Sequence, residues 1–160
     1  MKTKAETKKK KTKPSDPALP LLEKRLIEFS QDKSKEKYVR LLEAFRCTDV
    51  LVPSGRKPTE LPFGNDGILK QTSFIPDIIY VSSQNKRLMP IFSDPSKIPS
   101  DYTAGKAVFM HCSGWIKTFR CACCEGVILN PFSDISFLLT PDQIRVLSLF
   151  GSAVPEYRRN

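Results

Sequence analysis

The run "GVILNP", Gly126 to Pro131, most narrows what this chain can become. It is apolar from Val127 to Leu129 with no alternation, and a short strand of that kind belongs at the centre of a sheet. A second apolar run, "ISFLL", follows closely. Then "TPDQIRVLSLF" predicts a helix with a defined start: Thr140 as the N-cap, Pro141 in the first position and Gln143 three residues after the cap. Ile144, Val146, Leu147 and Phe150 would supply its apolar surface. Such a strand needs helices to cover it, so the rest of the chain should provide them.

It does. "SDPALPLLEKRLIEFSQD" reads as a helix, with Ser15 or Asp16 as the cap and Pro17 in the first turn. Leu21, Leu22, Leu26, Ile27 and Phe29 give it a broad apolar stripe. "SKEKYVRLLEAFRC" predicts a second helix capped by Ser34, with Tyr38, Leu41, Leu42 and Phe45 on one side. "TDVLVPS" is a short β-rich run closed by Pro53. Residues 54–73 read as a long loop holding one weak strand near Ile68. "PDIIYVSSQNKRLMPIFSD" has the form of a hairpin, with Asn85 suited to a positive φ in the turn. Pro90 lacks a ladder donor, so its strand should have an edge or a bulge there. Ser93 and Asp94 can start a helical turn, and "KAVFMH" is another strand. "CSGWIKTFRCACCEG" predicts a helix capped by Ser113, with Trp115, Ile116, Phe119 and Cys123 on one face and Gly126 near its end. The expected fold is α+β: one domain over residues 17–155, a mixed sheet of about five strands with helices packed on it, and a Lys-rich tail over residues 1–16.

The net charge of +9 is concentrated in that tail. Seven lysines (Lys2, Lys4, Lys8, Lys9, Lys10, Lys11 and Lys13) against Glu6 give residues 1–13 a charge of +6, leaving +3 for the remainder. The tail has almost nothing apolar to bury, so it is expected to be disordered. It is either a solubilising extension or a polycation for phosphates, and nucleic-acid binding through it would be sequence-blind and salt-sensitive. Tyr80, Phe92 and Phe109 lie in predicted strands, but basic residues do not interleave with them, so core positions are expected. No apolar run approaches the ~20 residues of a membrane helix. The basic start is not followed by the apolar segment of a signal peptide, so an intracellular protein is expected.

Five cysteines, Cys47, Cys112, Cys121, Cys123 and Cys124, are the other conspicuous chemistry. The odd count argues against a disulfide framework. Cys121 and Cys124 fit C-x-x-C, but the only candidate second half-site is His111 with Cys112, adjacent residues at a strand end whose side chains point to opposite faces. A redox pair is favoured at a helix N-terminus, whereas this one falls near a predicted C-terminus. Packed or surface-neutral thiols are therefore expected, with a metal- or thiol-dependent role for Cys121 and Cys124 as an alternative. With His111 the sole histidine and no H-E-x-x-H, G-x-S-x-G or G-x-G-x-x-G motif, no enzyme, cofactor or metal site is expected.

At "RLMPIFSDPSKIP" and "GVILNPFSDISFLLTPDQI" the chain resembles the SseB N-terminal domain family of bacteria. Two leading helices run into a strand ending in Val52–Pro53; the segments Leu88–Ser93 and Val127–Pro131 and the helix start Asp142–Gln143 then come in the family's order, over roughly residues 17–150. The resemblance implies a compact α/β domain with no established catalytic residues; taken with the missing catalytic motifs, it leads to the expectation of a non-enzymatic module of the bacterial cytoplasm that acts through an unidentified protein partner. The Lys-rich tail and the cysteine cluster are departures from the family pattern. Asn130 before Pro131 is expected to be extended, its side chain bonding the following backbone as a turn.

Overall fold

The computed structural model describes residues 19–55, 74–102 and 106–150. The tail, the Ser15–Pro17 cap and the weak strand near Ile68 lie outside the described residues. Within them, four helices and six strands run in the order α1 (Leu21–Gln31), α2 (Lys35–Cys47), β1 (Val50–Pro53), β2 (Ile79–Val81), β3 (Lys86–Ile91), β4 (Ala107–Met110), α3 (Cys112–Cys121), β5 (Val127–Leu129), β6 (Phe137–Leu139) and α4 (Pro141–Phe150). A 3-10 turn at Pro95–Lys97 separates β3 from β4. The fold is α+β.

The strands number six rather than about five, and they form two sheets: β1 with β4, and β2-β3-β5-β6. The β3–β5 pair is parallel and the other pairs are antiparallel. An isolated bridge links the sheets, with Leu51 N donating to Phe92 O at 2.8 Å and Phe92 N to Leu51 O at 2.9 Å. That hand-over explains Pro90. Met89 N donates to Gly126 O, so β3 turns Met89 toward β5 and Pro90 the other way. On that side β2 stops at the Ile79–Leu88 pair and β1 takes over at Phe92. Pro90 therefore occupies a local edge inside an internal strand, where no donor is required.

β5 is central, between β3 and β6, and buried at all three positions. Its inward residues Val127 and Leu129 join Met89, Ile91, Val50 and Val52 in one cluster with Leu22 and Leu26 of α1, Leu41 and Phe45 of α2, Trp115 and Ile116 of α3, and Ile144 and Leu147 of α4. All four helices thus cover one face. The alternate residues Leu51, Leu88, Phe92 and Ile128 are buried on the other.

Local starts and stops obey the residue chemistry with some corrections. Ser34 caps α2, accepting from Lys37 N. Asp94 caps the 3-10 turn, accepting from Ser96 N. Thr140 and Gln143 form a reciprocal capping box: Thr140 N donates to Gln143 Oε1 at 2.8 Å and Gln143 N to Thr140 Oγ1 at 3.3 Å. Asn85 has φ 49° in the β2–β3 turn. By contrast, α1 starts at Leu21 after Pro20, without a side-chain cap. Ser113 does not cap α3, which starts at Cys112 after His111. That helix ends at Cys121, so Cys123 is exposed instead of extending the Trp115–Phe119 stripe. Gly126 is needed for close approach and not for helix termination: a Cβ there would sit 2.8 Å from Leu139 O. Val146 faces solvent, unlike Ile144 and Leu147. Tyr80 and Phe109 are exposed as well, because each lies on a strand at the end of its sheet; Phe92 alone of the three is core.

Candidate binding cleft

The two parallel strands, β3 and β5, end side by side, and the segments beyond them build a cleft. After β3 come Phe92, Ser93 and the 3-10 turn; after β5 comes the loop from Asn130 to Ile135. Helix α1 closes the third side with Glu23, Leu26 and Ile27. The cleft has a volume of about 390 Å³. Crevices beyond the carboxyl ends of parallel strands are recurrent ligand positions in open α/β sheets, because loops of different length meet there.

Asn130 organises the loop. It is buried, with φ 51°, a left-handed conformation that Asn tolerates better than other non-glycine residues. This differs from the extended geometry expected before a proline. Its side chain does not bond the following backbone but reaches across the sheet: Oδ1 accepts from Ser93 N at 3.0 Å and Nδ2 donates to Ser93 Oγ at 2.9 Å. The turn is closed by Ser133 N donating to Asn130 O. Phe132, two residues on, is half exposed at 51%, yet its ring is not loose. It stacks on Phe92, with centroids 6.2 Å apart and an interplanar angle of 20°, and leans on Tyr102 at 5.4 Å. The Tyr102 hydroxyl donates to Asp77 Oδ2, which fixes that ring in turn. Burial, then the Asp77 hydrogen bond and charge, push the Tyr102 hydroxyl pKa well above its usual value, so it stays a donor.

The opposite wall is tied by an ion pair, Lys97 Nζ to Glu23 Oε1 at 2.7 Å, with both side chains largely covered. Asp134 stands at the rim. The polar lining is thus mostly engaged within the protein, the apolar lining is partly open, and one aromatic ring is held outward. Such a surface suits recognition of a side chain or short segment.

The family model of the SseB protein N-terminal domain matches residues 22–146, most of the chain and all of the cleft. The chain belongs to the SseB N-terminal domain family. Comparison with curated proteins gave no match, and comparison with solved structures gave none.

The five thiols differ in exposure. Cys47, Cys121 and Cys123 are exposed, Cys124 is half-buried and Cys112 is buried. His111 and Cys112 do diverge: the histidine side chain is exposed, with Nδ1 3.2 Å from Asp49 Oδ1, while Cys112 enters the core. Burial pushes the Cys112 thiol up to about 11. Cys124 is raised too, by burial, against backbone N–H groups of Gly126 and Met89 that favour its thiolate. Among the described residues, no three His, Cys, Asp or Glu side chains gather as metal ligands. Among those residues, no helix is long and apolar enough to cross a membrane. The cleft residues carry no sequence motif. Glu23, Lys97 and Phe132 come from three segments that only the fold brings together, although the "NPFSD" turn signal marked one of them.

Proposed function

We propose that this SseB domain is a non-enzymatic protein–protein interaction module of the bacterial cytoplasm, and that the cleft beyond β3 and β5 is its docking surface. One observation carries the reading. Phe132 is half exposed, yet immobilised by Phe92 and Tyr102. A pre-positioned aromatic ring binds a partner with little further loss of side-chain freedom, and aromatic residues of this kind anchor interfaces. The engagement of Glu23 with Lys97 and of Asn130 with Ser93 supports a role without catalysis, since these groups serve the architecture.

The test is affinity purification from host extract, with and without nuclease treatment, using the full chain, a Phe132→Ala variant and a chain lacking residues 2–13. A stoichiometric protein recovered by the full chain and lost with Phe132→Ala supports the reading. Equal recovery with Phe132→Ala would overturn it. Recovery only of nucleic-acid-bound material, lost on nuclease treatment or tail deletion, would favour a nucleic-acid role for the lysines of residues 2–13.

A further inference from the structure

The Lys-rich segment and the cleft are complementary in charge and adjacent in the chain. Carboxylates collect at the cleft's end of the sheet: Glu23 and Asp134 line it, Asp94 caps the 3-10 turn beside Ser93, and Asp77 holds Tyr102 against Phe132. Lys97 is the one base among the lining residues, in a chain whose overall charge is +9. Residues 1–13 carry +6, and Lys13 precedes the start of α1 by eight residues. Eight residues reach at most roughly 26 Å at ~3.3 Å each, and α1's first turn itself lines the cleft through Glu23.

We propose that residues 2–13 dock in this cleft in cis as a resident competitor that a partner must displace; this rests on the cleft being a binding surface. Lysine suits it twice over. Its aliphatic stem can lie on Ile27, Ile135 and the open face of Phe132, while the ammonium reaches Asp134 or the ring. Tethering raises the local lysine concentration to the millimolar range, so contacts too weak to hold a free peptide suffice. Because the charges are near solvent, the docking is salt-sensitive.

The experiment uses the full chain and a full-length variant with Lys8, Lys9, Lys10 and Lys11 changed to Gln. The readout is the amide NMR signals of Glu23, Ser133, Asp134 and Ile135 at about 0.05 M and about 0.5 M salt. The expected result is that high salt moves the wild-type signals toward their positions in the variant, and that salt moves the variant's own signals several-fold less. A synthetic peptide of residues 1–16, added to the variant, then restores the wild-type positions, and Asp134→Lys in the same background weakens that binding at least about tenfold. Identical cleft signals in wild type and variant would overturn the proposal, as would shifts that depend on protein concentration, which would place the segment on a second copy. The two readings fail separately. Unmoved cleft signals beside a partner lost with Phe132→Ala sink only the cis docking; responsive signals beside a partner indifferent to Phe132→Ala sink only the interaction reading.

Discussion

Asn130 holds Ser93 by two hydrogen bonds, 3.0 Å from the Ser93 N–H to its Oδ1 and 2.9 Å from its Nδ2 to the Ser93 hydroxyl. The ends of the only parallel strand pair among the described residues are thereby locked together across 37 residues of chain. Asn130→Ala removes both bonds, leaves a buried N–H without its acceptor and places a Cβ-bearing residue without a local polar group at φ 51°. These effects sum to about 3 kcal/mol of lost stability. Asn130→Gly relieves the backbone strain alone and should cost about 1 kcal/mol less. Urea unfolding of the two variants checks the order; equal losses would mean the backbone conformation contributes nothing.

Gly126 is a packing requirement. A methyl group at this position meets Leu139 O at 2.8 Å and Leu88 Cδ2 at 3.2 Å, and the carbonyl cannot rotate away as a side chain could. Gly126→Ala is expected to cost about 1–3 kcal/mol through displacement of β6 from β5. Thermal unfolding measures it, and a variant as stable as the wild type would show that β6 yields freely.

Thr140→Ala breaks the capping box at the start of α4 and should cost about 1 kcal/mol. Thr140→Ser keeps the hydroxyl and should recover most of that loss. Chemical denaturation of both variants tests the pair; a Ser variant no better than Ala would assign the effect to the methyl group.

The thiols should react in the order of their exposure. With an aromatic disulfide reagent at pH 8, Cys47, Cys121 and Cys123 react fast, Cys124 more slowly, and Cys112 only as the protein opens. Changing Cys121 and Cys124 together to Ser should leave the melting temperature within about 10 °C of wild type, since one is exposed and the other half-buried. Four rapidly reacting thiols, or a larger drop in melting temperature, would contradict this placement.

Cys112 also sets an alkaline limit. Its folded value of about 11 lies above the ordinary 9.0, so the folded state retains a proton that the unfolded chain releases. That stabilisation is complete below pH 9 and is lost as pH rises toward 11, on the order of 2 kcal/mol. Tyr102, raised by burial and by Asp77, acts in the same direction above pH 10. Denaturation midpoints should be level from pH 7 to about 9 and then decline, with a shallower decline in Cys112→Ala. A Cys112→Ala profile parallel to wild type would remove the thiol from the account.

The sequence by itself determined the elements whose cause is local. Ser34, Asp94 and the Thr140–Gln143 pair cap their helical turns through bonds spanning two or three residues, and Asn85 turns the hairpin with its own backbone. The unbroken apolar run at Val127–Leu129 placed β5 at the sheet's centre because such a strand leaves no face for water. Tertiary structure alone decided why Gly126 is glycine and what Asn130 bonds. It also decided that Glu23, Lys97 and Phe132 share one cleft. Each of these depends on an atom supplied by a distant segment: the Leu139 carbonyl, the Ser93 amide, the Phe92 ring. Periodicity and capping rules describe a residue's neighbours along the chain, and they carry no term for the partners that packing brings from elsewhere.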